Sequence, residues 1–102
     1  MPPGKRWSVI AIDALDWLRS LPPDSVDLIV TSPPYVDART YGVGFSLKGE
    51  EWVAWMFQVA EQCARVCRGL VAIVCEGRTE DRRYDCTPLL LAADLHRAGY
   101  QR

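Results

Sequence analysis

The chain has 102 residues, of which 49% are hydrophobic and 25% charged, so it is one small globular domain at most and is not a disordered chain. Its formal net charge of −1 argues against a strongly basic, DNA-binding surface on this chain alone. No apolar run approaches the ~20 residues of a membrane span, and the N-terminus has no apolar signal-peptide core. We therefore expect a cytoplasmic protein without a membrane partner.

The first third of the chain predicts a strand, a short helix and a second strand. The first strand covers Trp7–Ile12, and Asp13 is placed to cap the helix that follows. Two prolines, Pro22 and Pro23, end that helix. The apolar run Val26–Thr31 is predicted to be a buried strand.

The remainder predicts two more helices with a strand between them. A polar, glycine-bearing loop over 36–49 precedes a helix from about Glu50 to Cys67, with Gly69 just past its end. The helix is predicted from apolar residues at three- and four-residue steps, namely Trp52, Met56, Val59, Cys63 and Val66. A third strand, Leu70–Cys75, is apolar throughout, as parallel strands covered on both faces are.

A charged loop over 76–85 then leads to the last helix. That helix has Thr87 as its cap, Pro88 at its first position and Gly99 beyond its end. The predicted order is β-α-β-α-β-α, an α/β chain whose three parallel strands make half of a doubly wound sheet. Such a short chain should leave one sheet edge bare.

Four cysteines occur at positions 63, 67, 75 and 86. Their spacing lacks the close pairs of a zinc site, and His96 is the only histidine. We therefore expect no metal, and we expect buried, reduced thiols that fill small gaps in the core.

The most informative segment is Thr31-Ser32-Pro33-Pro34-Tyr35, directly after the second predicted strand. The prolines make it stiff and extended, and they leave it rich in hydrogen-bond acceptors such as the Ser32 hydroxyl and nearby carbonyls. Two acceptors on the hydrogens of a planar amine favour a more pyramidal nitrogen that can attack a methyl donor, while Tyr35 offers a face for a flipped base. The alternative is an ordinary Pro-Pro turn at the end of a strand.

The run from Asp13 to Tyr35 resembles the DNA amino-methyltransferases, which methylate cytosine N4 or adenine N6 with S-adenosylmethionine. In that family a Ser/Asp/Asn-Pro-Pro-Tyr/Phe tetrad, after a strand like Val26-Asp27-Leu28-Ile29, is the catalytic signature. The resemblance implies a partial Rossmann-like methyltransferase fold, with double-stranded DNA and a flipped target base as substrate. It also implies that Ser32, Pro33, Pro34 and Tyr35 are catalytic, with the Ser32 hydroxyl and Pro33 carbonyl accepting from the amine and Tyr35 stacking on the base.

The resemblance assigns Asp13 to the adenine amino group of S-adenosylmethionine; an N-cap role is the alternative, and one carboxylate can serve both. The loop after the tetrad resembles the segment that closes over the target base, so Asp37, Arg39 and Tyr41 are candidate substrate-binding residues. For each of these three alone, a solvated loop residue is the simpler interpretation.

The family's Phe-x-Gly-x-Gly-like cofactor loop does not occur in this sequence. We therefore expect residues 1–102 to be the N-terminal catalytic part of a permuted methyltransferase. The missing C-terminal half, or a partner chain, would supply the glycine loop and the region that reads the DNA sequence.

Ser at position 32, where many adenine enzymes carry Asp or Asn, favours cytosine N4 over adenine N6. Two other interpretations stay open. One is an inactive remnant or split subunit of such an enzyme, and the other is a protein glutamine N-methyltransferase. The roughly 30 residues before the tetrad are too few for the latter's upstream glycine loop.

Overall fold

The computed structural model describes residues 6–33, 49–75, 79–80, 83–84 and 86–100. Its elements in chain order are helix α1 (Ala14–Ser20), strand β1 (Val26–Thr31), helix α2 (Glu50–Val66), strand β2 (Cys67–Ile73), strands β3 (Thr79–Glu80) and β4 (Arg83–Tyr84), and helix α3 (Thr87–Arg97). Strands β1 and β2 pair in parallel, and β3 pairs antiparallel with β4. The fold is α/β with a small parallel sheet, which is compatible with a Rossmann-like fold.

Helix α2 forms the centre of the core. All five apolar positions that predicted this helix are buried, and Met56 and Val66 have no exposed surface. Leu18 from α1 and Leu91 from α3 join the same cluster, so both flanking helices pack on α2. The helical periodicity of the sequence is confirmed, because it marks the side of α2 that the other elements cover.

Helix α1 is held at both ends by specific hydrogen bonds. At its start the Asp13 carboxylate accepts from the backbone N–H of Asp16 at 3.0 Å, which confirms the predicted cap. Near its end the Leu18 carbonyl accepts from Nη2 of Arg65, on α2, at 2.8 Å. Nε of Arg65 donates to Oε1 of Gln62 at 2.8 Å, so the guanidinium is fixed on α2 while it binds α1.

Replacing Arg65 with methionine is expected to lower the free energy of unfolding by about 1–2 kcal/mol, because a charged donor is lost from a partly buried carbonyl. Methionine keeps much of the apolar stem. The matched control is Arg97→Met on α3, whose side chain is 77% exposed and 3.6 Å from Asp94. That exposed pair should contribute less than about 0.5 kcal/mol. Urea unfolding followed by circular dichroism measures both, and equal losses would contradict the role given to Arg65.

The pairing of β1 with β2 contains a bulge near its start. Val26 pairs with Cys67, but the next matched pair is Leu28 with Leu70, so β2 carries one extra residue there. A Cβ atom on Gly69 would lie 2.2 Å from the backbone oxygen of Asp27. Glycine is therefore required where the two backbones approach. The Arg68 guanidinium forms an exposed ion pair with the Asp27 carboxylate across the same bulge.

Two of the predicted strands differ from the structure. Trp7–Ile12 has no strand assignment, and Val9 is 87% exposed, because no neighbouring strand among the described residues pairs with this segment. The strand predicted at Leu70–Cys75 begins earlier, at Cys67, and ends at Ile73. It is not buried on both faces, since helices among the described residues cover only one face and Leu70 remains 65% exposed.

Three local predictions were also wrong. Gly69 does not end α2, because the chain passes directly from helix to strand at Val66 and Cys67. Cys86, not Thr87, occupies the N-cap of α3, and Thr87 is the first helical residue. The predicted loop over 76–85 contains β3 and β4. The full β-α-β-α-β-α order is therefore not seen.

The cysteines are all free thiols, but their surroundings differ. Cys63 and Cys67 are buried as predicted, Cys75 is half-buried, and Cys86 is exposed, contrary to the prediction. Burial, and then the neighbouring Cys67, raises the pKa of the Cys63 thiol. Cys63 therefore holds its proton to higher pH than the same thiol does in the unfolded chain. The free energy of unfolding that this protonated thiol contributes is lost as the pH rises above the ordinary thiol pKa of about 8.5 and through the raised pKa of Cys63.

This difference predicts the order of alkylation by iodoacetamide at pH 8. Cys86 should react first, and Cys63 more than about tenfold slower, because only an accessible thiolate is nucleophilic. Peptide mass spectrometry at timed intervals measures each site. In urea the two rates should become similar, which serves as the control for folding. Equal rates in the native protein would show that Cys63 is not buried.

Candidate functional site

The predicted catalytic segment begins where β1 ends. Ser32 and Pro33 follow Thr31 directly, and they differ in exposure: Ser32 is exposed, whereas Pro33 is buried. The proline ring also fixes its own backbone φ angle. A buried, stiff residue therefore anchors the segment while the neighbouring hydroxyl stays accessible to a ligand.

The end of β2 lies beside this segment. The backbone N–H of Val74 donates to the carbonyl of Thr31 at 2.8 Å, so the residue after β2 is still hydrogen-bonded to the end of β1. Cys75 follows and is half-buried, and burial raises the pKa of its thiol. The carboxyl ends of two parallel strands thus meet at Ser32, which is the location where open α/β sheets bind their ligands.

A groove of about 330 Å³ runs along β1 beside α1. Its lining is largely apolar and consists of Ala14, Trp17, Leu18, Val26, Leu28, Ile29, Val30, Thr31, Val59 and Cys63. Two of these residues adjoin predicted site residues, since Ala14 follows Asp13 and Thr31 precedes Ser32. The groove lining therefore includes a sequence neighbour of each, although Asp13 and Ser32 are not among the lining residues.

Asp13 is exposed at the start of α1, and one of its carboxylate oxygens, Oδ2, accepts the capping hydrogen bond. A carboxylate has about four lone-pair sites on its two oxygens, so capping leaves it able to accept from a further donor. The predicted contact of Asp13 with a cofactor stays a prediction.

The other predicted site residues, Pro34, Tyr35, Asp37, Arg39 and Tyr41, lie outside the described residues. Among the residues that are described, no three His, Cys, Asp or Glu side chains are grouped so that they could hold a metal ion. Within the same part of the chain, no helix is long and apolar enough to cross a membrane.

The sequence did not predict the groove or the exposed position of Val74. The exposure of Val74 follows from the open face of the parallel pair, on which Leu28, Val30, Leu70 and Val74 are 55–66% exposed. The sequence carries one signal for this exposure, the small number of predicted strands. A sheet with so few strands has too few connecting helices to cover both of its faces.

Comparison with known proteins identifies two methyltransferases to which this chain is similar. The chain is 36% identical over 62 residues to the DNA adenine methyltransferase YhdJ of Escherichia coli (strain K12), a match that covers 60% of this chain and 21% of that protein. It is 39% identical over 56 residues to the Type II methyltransferase M.BglII of Bacillus subtilis, covering 55% of this chain and 15% of that protein.

These similarities support a DNA methyltransferase family. The matched part of the chain is about a fifth or less of the length of these relatives. No family model matches the chain. The similarity agrees with the resemblance noted in the sequence. It shows neither which base is methylated nor the role of any single residue.

Proposed function

We propose that this chain carries the catalytic segment of a DNA methyltransferase that transfers a methyl group from S-adenosylmethionine to an exocyclic amino group, with cytosine N4 as the acceptor. The observation that carries the proposal is the position of Ser32 and Pro33 at the joined carboxyl ends of β1 and β2, with Ser32 exposed and Pro33 buried. The two methyltransferase relatives support it.

In this mechanism Ser32 and Pro33 act on the amine of the target base. The Ser32 hydroxyl and the Pro33 carbonyl each accept one N–H of the amine, which lowers the delocalisation of its lone pair into the ring. Because Pro33 is buried, these acceptors are positioned before the base arrives, and pre-positioned groups need no rearrangement during the reaction. Tyr35 is proposed to stack on the flipped base.

S-adenosylmethionine supplies the methyl group when it is bound. Among the described residues, Asp13 fits one part of it, because its exposed carboxylate keeps acceptor sites beyond the capping hydrogen bond. The glycine-rich segment that would hold the methionine part is proposed to come from outside this chain. Asp37, Arg39 and Tyr41 are proposed to contact the DNA.

The choice of base has an argument on each side. A serine hydroxyl is a weaker acceptor than the carboxylate found in many adenine enzymes, which favours cytosine N4. The Escherichia coli relative is named an adenine methyltransferase, which favours adenine N6 as the second candidate.

A transfer assay separates the two candidates. The protein expressed from its gene is incubated with unmethylated duplex DNA and S-adenosylmethionine labelled in its methyl group, and the DNA is then digested to nucleosides. Label in N4-methyldeoxycytidine supports the proposal, and label in N6-methyldeoxyadenosine replaces cytosine with adenine. Label in protein alone supports the glutamine alternative, and no label at all supports an inactive remnant or a split subunit.

A further inference from the structure

The parallel register places Val74 beside Ser32. Thr31 and Ile73 are the last paired residues of β1 and β2, and the Val74 N–H donates to the Thr31 carbonyl at 2.8 Å. The same register, continued by one residue past the ends of both strands, sets Ser32 opposite Val74. In a parallel pair, matched residues point to the same face of the sheet, and the face alternates at each step. Ser32 and Val74 therefore share one face.

That face is the open one. Val71 and Ile73 pack against the core around α2, so the alternate residues Leu70, Ala72 and Val74 lie on the opposite side. The exposures agree, since Leu70 is 65% and Val74 58% exposed. On β1, Ile29 packs against the core and Val30 is 66% exposed, which places Ser32 on the open face by the same alternation.

The pair presents two different chemistries side by side. Ser32 offers a hydroxyl that accepts from an amine, and Val74 offers an exposed aliphatic surface. A nucleobase has the same two features next to each other, an amino group attached to a planar ring with an apolar face. The Val74 backbone N–H also donates the hydrogen bond to the carbonyl of Thr31, the residue before Ser32.

We propose that Val74 is a substrate-contacting residue, which packs on the ring of the target base while Ser32 accepts from its amino group. This inference rests on the proposed function and adds to it a contact from the residue that follows β2. Because Val74 touches the ring and not the reacting nitrogen, it should contribute to binding of the base more than to the chemical step.

The test compares Val74→Ala and Val74→Thr with Leu70→Ala in the protein expressed from its gene. Leu70 is the matched control, because it lies in β2 on the same face, four residues before Val74 and with a similar exposure. Methyl transfer is measured over a range of DNA concentrations, and thermal unfolding checks that each variant folds. Val74→Thr keeps the β-branched shape of valine, so it tests the contact even if Val74→Ala fails to fold.

Val74→Ala should raise KM for DNA about fivefold with little change in kcat, since about two methyl groups leave the contact. Val74→Thr should also raise KM, and Leu70→Ala should change it less than about twofold. Equal effects of the Val74 and Leu70 substitutions, or a fall in kcat alone, would overturn the contact while leaving the proposed function in place. Absence of transfer by the unmodified, folded protein would overturn the proposed function and this inference with it.

Discussion

Replacing Gly69 with alanine is expected to lower the free energy of unfolding by about 3 kcal/mol or more, enough to remove most of the stability of a small domain. The added Cβ would lie 2.2 Å from the Asp27 backbone oxygen and 3.4 Å from its carbonyl carbon. A backbone atom in a paired strand cannot move aside as the tip of a side chain can. The parallel pairing of β1 with β2 must therefore open at the bulge.

The control for this prediction is Gly99→Ala. Gly99 has a φ of +94°, but an added Cβ there would have no atom within 4 Å. Its cost is the backbone strain of a non-glycine residue, about 1–2 kcal/mol. Urea unfolding monitored by tryptophan fluorescence measures both variants, because Trp52 lies in the core. If Gly69→Ala costs no more than Gly99→Ala, the close approach of the two strands is wrong.

Replacing Ser32 with alanine is expected to lower kcat for methyl transfer about 100-fold, a loss similar to that of one pre-positioned polar group in other active sites. The hydroxyl is exposed at the end of β1, so its removal should leave thermal unfolding unchanged. Ser32→Asp should keep activity well above that of the alanine variant, because a carboxylate is also an acceptor. Single-turnover kinetics with unmethylated DNA measures the chemical step.

Ser25→Ala is the matched control for Ser32. Ser25 precedes the other end of β1, where its hydroxyl donates to the Pro22 carbonyl at 2.7 Å. Its loss should change stability by about 1 kcal/mol and kcat by less than about twofold. Activity of Ser32→Ala equal to that of Ser25→Ala would remove Ser32 from the mechanism.

The sequence was sufficient to predict the helices and the position of Ser32 and Pro33 after β1. Helix α2 followed from residues such as Met56 and Val66, because a helix with one buried side repeats its apolar residues at helical spacing. Ser32 and Pro33 were placed correctly at the end of β1, since an apolar run that stops before prolines marks the end of a strand.

The strand arrangement could not be predicted in the same way. A strand exists only with a partner, and the apolar pattern of Trp7–Ile12 does not show whether a neighbour is present. Gly69 was predicted to follow the end of a helix. Its role in the structure is to allow the close approach of the Asp27 backbone, which comes 42 residues earlier in the chain. Val74 lay in a run that predicted burial on both faces, and only the three-dimensional packing shows that one face is open.

The most direct test of the central claim is nucleoside mass spectrometry of DNA from a host without DNA methylation that expresses the protein from its gene. We expect N4-methylcytosine to accumulate with the unmodified protein and to be lost with Ser32→Ala, while both proteins are present and folded. DNA free of methylated cytosine and adenine with the unmodified protein would contradict the account. So would equal methylation with the Ser32→Ala variant.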